Sequence, residues 1–106
     1  MDTLKLSRTL IPILALLEEK SITIDAVLLF GSHAKGTATA ASDIDLAFVS
    51  RDFGNDRIAE GAMLSRVLFQ KVPGADPVPI SLADFLDPQP LSPILAEIKK
   101  NYIPLL

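Results

Sequence analysis

The residues best placed to do chemistry in this 106-residue chain are Asp43 and Asp45, one residue apart, and Gly31-Ser32, which ends the apolar run before them. Two carboxylates side by side repel one another unless a cation lies between them. Hard oxygen donors so arranged suit Mg²⁺, which takes one or two carboxylates, keeps several waters and completes its shell with substrate phosphates. Gly31 lets the backbone turn or approach a ligand closely. Ser32 is placed to cap a short helix through Ala34 and Lys35, ended by Gly36. Such a helix start offers free N–H groups to phosphate. A phosphate-holding turn facing a Mg²⁺ site is the equipment of nucleotidyl transfer, where metal ions activate the attacking oxygen and steady the leaving pyrophosphate. The plainer alternative is a polar loop between two strands, with Asp43 a solvated strand-end acid.

The flanking elements must hold these groups in place. Val27 to Phe30 is a short apolar run that suits a buried strand. Asp43 to Val49 also reads as a strand, whose alternation puts Asp43 and Asp45 on one face and sends Ile44, Leu46 and Phe48 into the core. Between them, Thr37 to Ser42 is a small polar loop. It either folds over a nucleotide or only connects the two strands.

Gly31-Ser32-His33-Ala34-Lys35-Gly36 followed by Ser42-Asp43-Ile44-Asp45-Leu46 resembles the signature of the minimal nucleotidyltransferases, small prokaryotic members of the DNA polymerase beta superfamily. The match is tight from Phe30 to Val49 and looser elsewhere. The resemblance implies that Gly31 and Ser32 hold a nucleoside triphosphate, ATP foremost, and that Asp43 and Asp45 bind Mg²⁺. Family members often carry Arg where this chain has Lys35. Lys keeps the positive charge but gives up the bidentate fork. The family also carries a third carboxylate on a later strand, and Asp76, in an acid-Pro-x-Pro run, is the best match. It would hold the metal and help deprotonate the acceptor hydroxyl. Asp84 is the second candidate and reads as a surface acid. Larger relatives add a domain that binds the acceptor. The resemblance instead points to a helical HEPN-type partner, with which such proteins form toxin–antitoxin pairs. There the nucleotidyltransferase is the antitoxin, in some systems by adenylylating a toxin tyrosine. The alternative is a non-catalytic module that neutralises its partner by contact.

Composition bounds the remainder. The length suits a single domain, and 49% hydrophobic residues exclude a disordered tail. A net charge of −3 with no Lys/Arg run argues against a polynucleotide substrate. The absence of cysteine excludes disulfides and thiolate zinc sites, and His33 is the only histidine. Leu10 to Leu17 is too short for a membrane span and runs into Glu18-Glu19 without a cleavage pattern, so the expectation is a cytoplasmic protein.

The other elements follow from spacing. Leu10, Ile13, Leu14 and Leu17 predict a first helix capped by Thr9 with Pro12 in its first turn; a start near Thr3 would need a kink at Pro12. A helix is predicted from about Asp56 to Lys71. Its apolar residues spread around most of its circumference, which predicts either a partner or homo-oligomer contact or cover from the first helix. Ala75 to Leu82 reads as an edge strand, because Pro77 and Pro79 remove N–H groups along one side. Ser92-Pro93 starts a last helix, with Lys99 and Lys100 in its final turn and Asn101 closing it. The fold class is a small α/β (α+β) domain, a mixed three- or four-stranded sheet with helices on one side. The resemblance supports the polymerase beta-like nucleotidyltransferase fold.

Overall fold

The computed structural model describes residues 1–106. Four strands make one mixed sheet in the order β3-β2-β1-β4: β1 (Ala26–Phe30), β2 (Ile44–Ser50), β3 (Ala75–Ser81) and β4 (Ile103–Pro104). β1 runs antiparallel to both β2 and β4, and β2 runs parallel to β3. The two central strands are near-continuous apolar runs, the pattern of strands covered on both faces.

Alternation divides those runs between two cores. Val27, Leu29, Leu46 and Phe48 pack on Leu6, Leu10, Ile13 and Leu17 of α1 (Thr3–Glu19) and on Leu64 and Leu68 of α3 (Arg57–Leu68). On the other face Leu28, Phe30, Ala47, Val49 and Ile80 meet Leu95 and Ile98 of α5 (Pro93–Lys100), with Leu82 and Phe85 of α4 (Leu82–Leu86) alongside. Helices therefore cover both faces, not one as expected. Leu28 and Phe30 are as apolar as Val27 and Leu29, so both faces of β1 need cover. Truncating Phe48, fully buried in mid-sheet, would cost about 3–5 kcal/mol.

Helix boundaries follow the caps. α1 begins at Thr3, where the Asp2 carboxylate accepts from the Lys5 N–H at 3.0 Å, and not at Thr9. The Thr9 hydroxyl instead donates to the Lys5 carbonyl at 2.9 Å. Pro12 lies inside the helix at an exposed position, so the Arg8 carbonyl it leaves without a helical donor can take water. α3 starts as predicted, with Asp56 capping Ala59 and Glu60 accepting from Gly54 and Asn55. Ser92 caps α5 with Pro93 in its first turn, and Asn101 ends it.

β3 is the edge strand that its prolines predicted. β4 and α4 were not read from the sequence. Two residues carry no periodic signal, yet Ile103 and Pro104 pair with Leu29 and Leu28 and bring the C-terminal segment onto the sheet.

Candidate active site

The parallel register of β2 and β3 assembles the acids. Asp45 lies opposite Asp76, and both project from the face that carries Ala47, Val49, Val78 and Ile80. Asp43 precedes β2 by one residue, and alternation keeps it on the same face. Asp43, Asp45 and Asp76 thus gather at one end of one face of the sheet. Asp43 and Asp76 are exposed, and Asp45 is partly buried. Asp84 is not with them. It sits in the first turn of α4, beyond the opposite end of β3.

The Gly31-Ser32 turn packs directly on Asp45. Gly31 has φ 71° and ψ −150°, a conformation that only glycine adopts readily. A Cβ added there would lie 2.1 Å from Oδ2 of Asp45, so the carboxylate fills the space a side chain would need. α2 (Ser32–Lys35) follows, with Gly31 as its cap residue and Gly36 closing it in the left-handed conformation. Ser32 does not cap the helix, contrary to expectation; it is the first helical residue, and its hydroxyl makes no capping bond. The Ala34 and Lys35 N–H groups both donate to the Gly31 carbonyl at 3.1 Å. The N–H groups of Ser32 and His33 come before any acceptor inside the helix.

Crowding shows in the electrostatics. Burial raises the Asp45 carboxyl above its ordinary value, and Asp76 and then Asp43 add to the rise, while His33 opposes it. Oxygen donors that repel one another fit a hydrated divalent cation, which needs only one or two carboxylates and takes its remaining ligands from water and phosphate. No three acidic or histidine side chains come close enough together to hold a metal ion among them.

Two residues near the site escaped sequence reasoning. Glu97 of α5 forms an ion pair with Lys35, 62 positions away in the chain, and the lysine holds its carboxyl below the usual range. No local pattern could connect residues so far apart. His33 has its Nε2 buried without a hydrogen-bond partner. Its being the only histidine was the one available hint. Lys99 is structural, donating to the Asp87 carbonyl and lying 5.5 Å from the centre of the Phe85 ring. Tyr102 meets the same ring edge-on at 6.3 Å. The most enclosed concavity, about 170 Å³ and lined by Arg57, Ser81, Asp84 and Ser92, lies at the far end of β3 from the three acids. Its placement gives it no part in their chemistry.

The family profile described as "Polymerase beta, Nucleotidyltransferase" matches residues 12–73, a span that includes the Gly31-Ser32 turn, Asp43 and Asp45. The chain belongs to this family. Asp76 lies just beyond the matched segment of this nucleotidyltransferase domain. Among solved structures, one described as "Crystal structure of the toxin-antitoxin with AMP-PNP" superposes with a TM-score of 0.54 at 23% identity, covering 94% of this chain and 72% of that one. That likeness supports the polymerase beta-like nucleotidyltransferase fold. No curated protein matches the chain. No helix is long and apolar enough to cross a membrane.

Proposed function

We propose that this protein transfers a nucleoside monophosphate, AMP foremost, from a nucleoside triphosphate to a hydroxyl on a partner protein, and acts as the antitoxin of a HEPN-type toxin. The observation that carries the proposal is the register of Asp45 against Asp76, with Asp43 beside them and the Gly31 turn packed on Asp45. A toxin–antitoxin complex with AMP-PNP among the structural neighbours supports both the nucleotide and the partner.

Asp43 and Asp45 would hold Mg²⁺, with Asp76 as the third carboxylate. The metal, when bound, would neutralise charge on the phosphates and favour the ionised acceptor. The chain's own residues supply the rest. The Ser32 hydroxyl and the N–H groups of Ser32 and His33 face the triphosphate, and the first turn of α2 orients its terminal phosphates. Lys35 adds one cation, and Glu97 restrains its side chain. Asp76, exposed at the sheet edge, is the group an incoming hydroxyl meets and the base that takes its proton.

The test uses triphosphates labelled at the α-phosphate, incubated with this protein and a HEPN-type toxin. Transfer requires label in the toxin that depends on Mg²⁺ and is lost in Asp45→Asn and Asp76→Asn. A protein that binds triphosphate and neutralises the toxin while leaving it unlabelled would instead be a contact-only module.

A further inference from the structure

A shallow groove of about 230 Å³ opens between the start of α1 and the turn after α3. Leu6, Ile44, Val72 and Pro73 form its apolar walls. Lys5 and Lys71 flank it, and neither is among the ion-paired cations, Lys35 and Arg51. Asp2 is also at the rim, where its carboxylate accepts the Lys5 N–H as the helix cap.

The position of this groove sets it apart from other exposed apolar surface. Ile44 lies between Asp43 and Asp45, its side chain on the opposite face of the strand. Val72-Pro73 leads through Gly74 into Asp76, and the Ile44 N–H donates to the Gly74 carbonyl at 2.8 Å. The walls are thus chain neighbours of all three site carboxylates. Groove and carboxylates therefore lie on opposite faces at the same end of the sheet.

We infer that this groove docks the acceptor-bearing segment of the partner protein, and that the segment is acidic with one or two aliphatic anchors. The inference rests on the reading of the site as one that transfers nucleotide to a partner hydroxyl. Two unpaired lysines beside an apolar slot, on a protein of net charge −3, complement carboxylates flanking a leucine-like side chain. A bilayer is a poorer fit, because membrane-surface binding needs a broad apolar face with many cations around it.

The experiment is an amide-resonance titration of the intact 106-residue protein with three synthetic peptides, acetyl-EELLEYEE-amide, acetyl-KKLLKYKK-amide and acetyl-EESSEYEE-amide. The expected result is binding of the first at least tenfold tighter than of the other two. Shifts should centre on Lys5, Leu6, Ile44 and Val72, and affinity should fall with added salt. Lys5→Glu/Lys71→Glu should weaken it at least tenfold, and the milder Lys5→Gln/Lys71→Gln severalfold. Equal binding of the three peptides, or shifts centred elsewhere, would overturn the docking site. So would the same shifts produced by phosphatidylglycerol vesicles alone or by raising the protein concentration alone. Mg²⁺–AMP-PNP titrated into the wild-type protein reports separately on the triphosphate site, so failure of the functional reading is distinguishable from failure of the groove.

Discussion

The two ends of β2 are built to opposite rules. At the end near Ser50 the buried hydroxyl and the charges of Asp25, Arg51 and Asp52 find partners. The buried Ser50 hydroxyl donates to the Thr23 carbonyl and accepts from the Asp52 N–H, and Asp52 accepts from the Thr23 N–H at 2.8 Å. Asp25 accepts from both the backbone and the guanidinium of Arg51, which holds its carboxyl below the ordinary value. At the Asp45 end three carboxylates gather, Asp45 is pushed up, and a histidine nitrogen is buried without a partner. Folding alone rewards the first arrangement. The second is where the proposed metal and nucleotide would bind.

The largest expected effect is at Gly31. Gly31→Ala places a Cβ against the Asp45 carboxylate in a strained backbone conformation, and should cost about 2–4 kcal/mol. In a thermal melt that is a loss of roughly 10 °C or more. Gly36→Ala meets open space at a similar positive φ and should cost only about 1 kcal/mol. Equal losses would remove the claim that the turn is moulded around the carboxylate.

Next in size is the contrast between Asp45→Asn and Ser50→Ala. Asp45→Asn should relieve repulsion and leave the fold as stable or more so, yet weaken Mg²⁺–triphosphate binding at least 10-fold. Ser50→Ala should lower stability by about 1–2 kcal/mol, because it strips two hydrogen bonds from a buried site, and should leave nucleotide binding intact. Calorimetric titration paired with chemical denaturation reads both. A loss of stability in Asp45→Asn would erase the contrast between the two ends.

Acid should separate the ends as well. The folded-state carboxyl of Asp45 lies above the ordinary value of 3.8, so the folded form binds the proton more readily. Its contribution to stability therefore rises as the pH falls from that raised value towards 3.8. Asp25 is lowered from 3.8, so its contribution is present above that value and is lost as the pH falls through the lower folded one. Melting temperature followed against pH should lose the first trend in Asp45→Asn and the second in Asp25→Asn. The smallest effect is expected at Lys35→Ala. Its pair with Glu97 is half-exposed, so stability should change by no more than about 1 kcal/mol, while triphosphate affinity falls severalfold.

Much of this could be read from the sequence, for physical reasons that differ by residue. Asp43, Asp45, Gly31 and the edge prolines of β3 announce themselves because strand alternation, glycine conformations and the missing proline N–H act locally. Asp76 needed the family resemblance, since only the β2–β3 register shows that it faces Asp45. The α1 start was misread because Asp2 supplies a cap that the apolar spacing from Leu10 onward does not reveal. Cover on both faces went unread because alternation reports which side chains share a face, not which helix arrives there. β4 and the Lys35–Glu97 pair depend on contacts between distant parts of the chain. Ile58, and Phe69 just after the helix, are exposed, so α1 does not cover the outer side of α3 as one of the two expectations had it.

The most direct test of the site is calorimetric titration of Mg²⁺–ATP into the wild-type protein and into Asp43→Asn/Asp45→Asn, with and without Mg²⁺. The account predicts binding that requires Mg²⁺ and disappears in the double variant while its melting temperature is kept. A folded wild-type protein that binds no triphosphate, or binding that survives in the double variant, would contradict it.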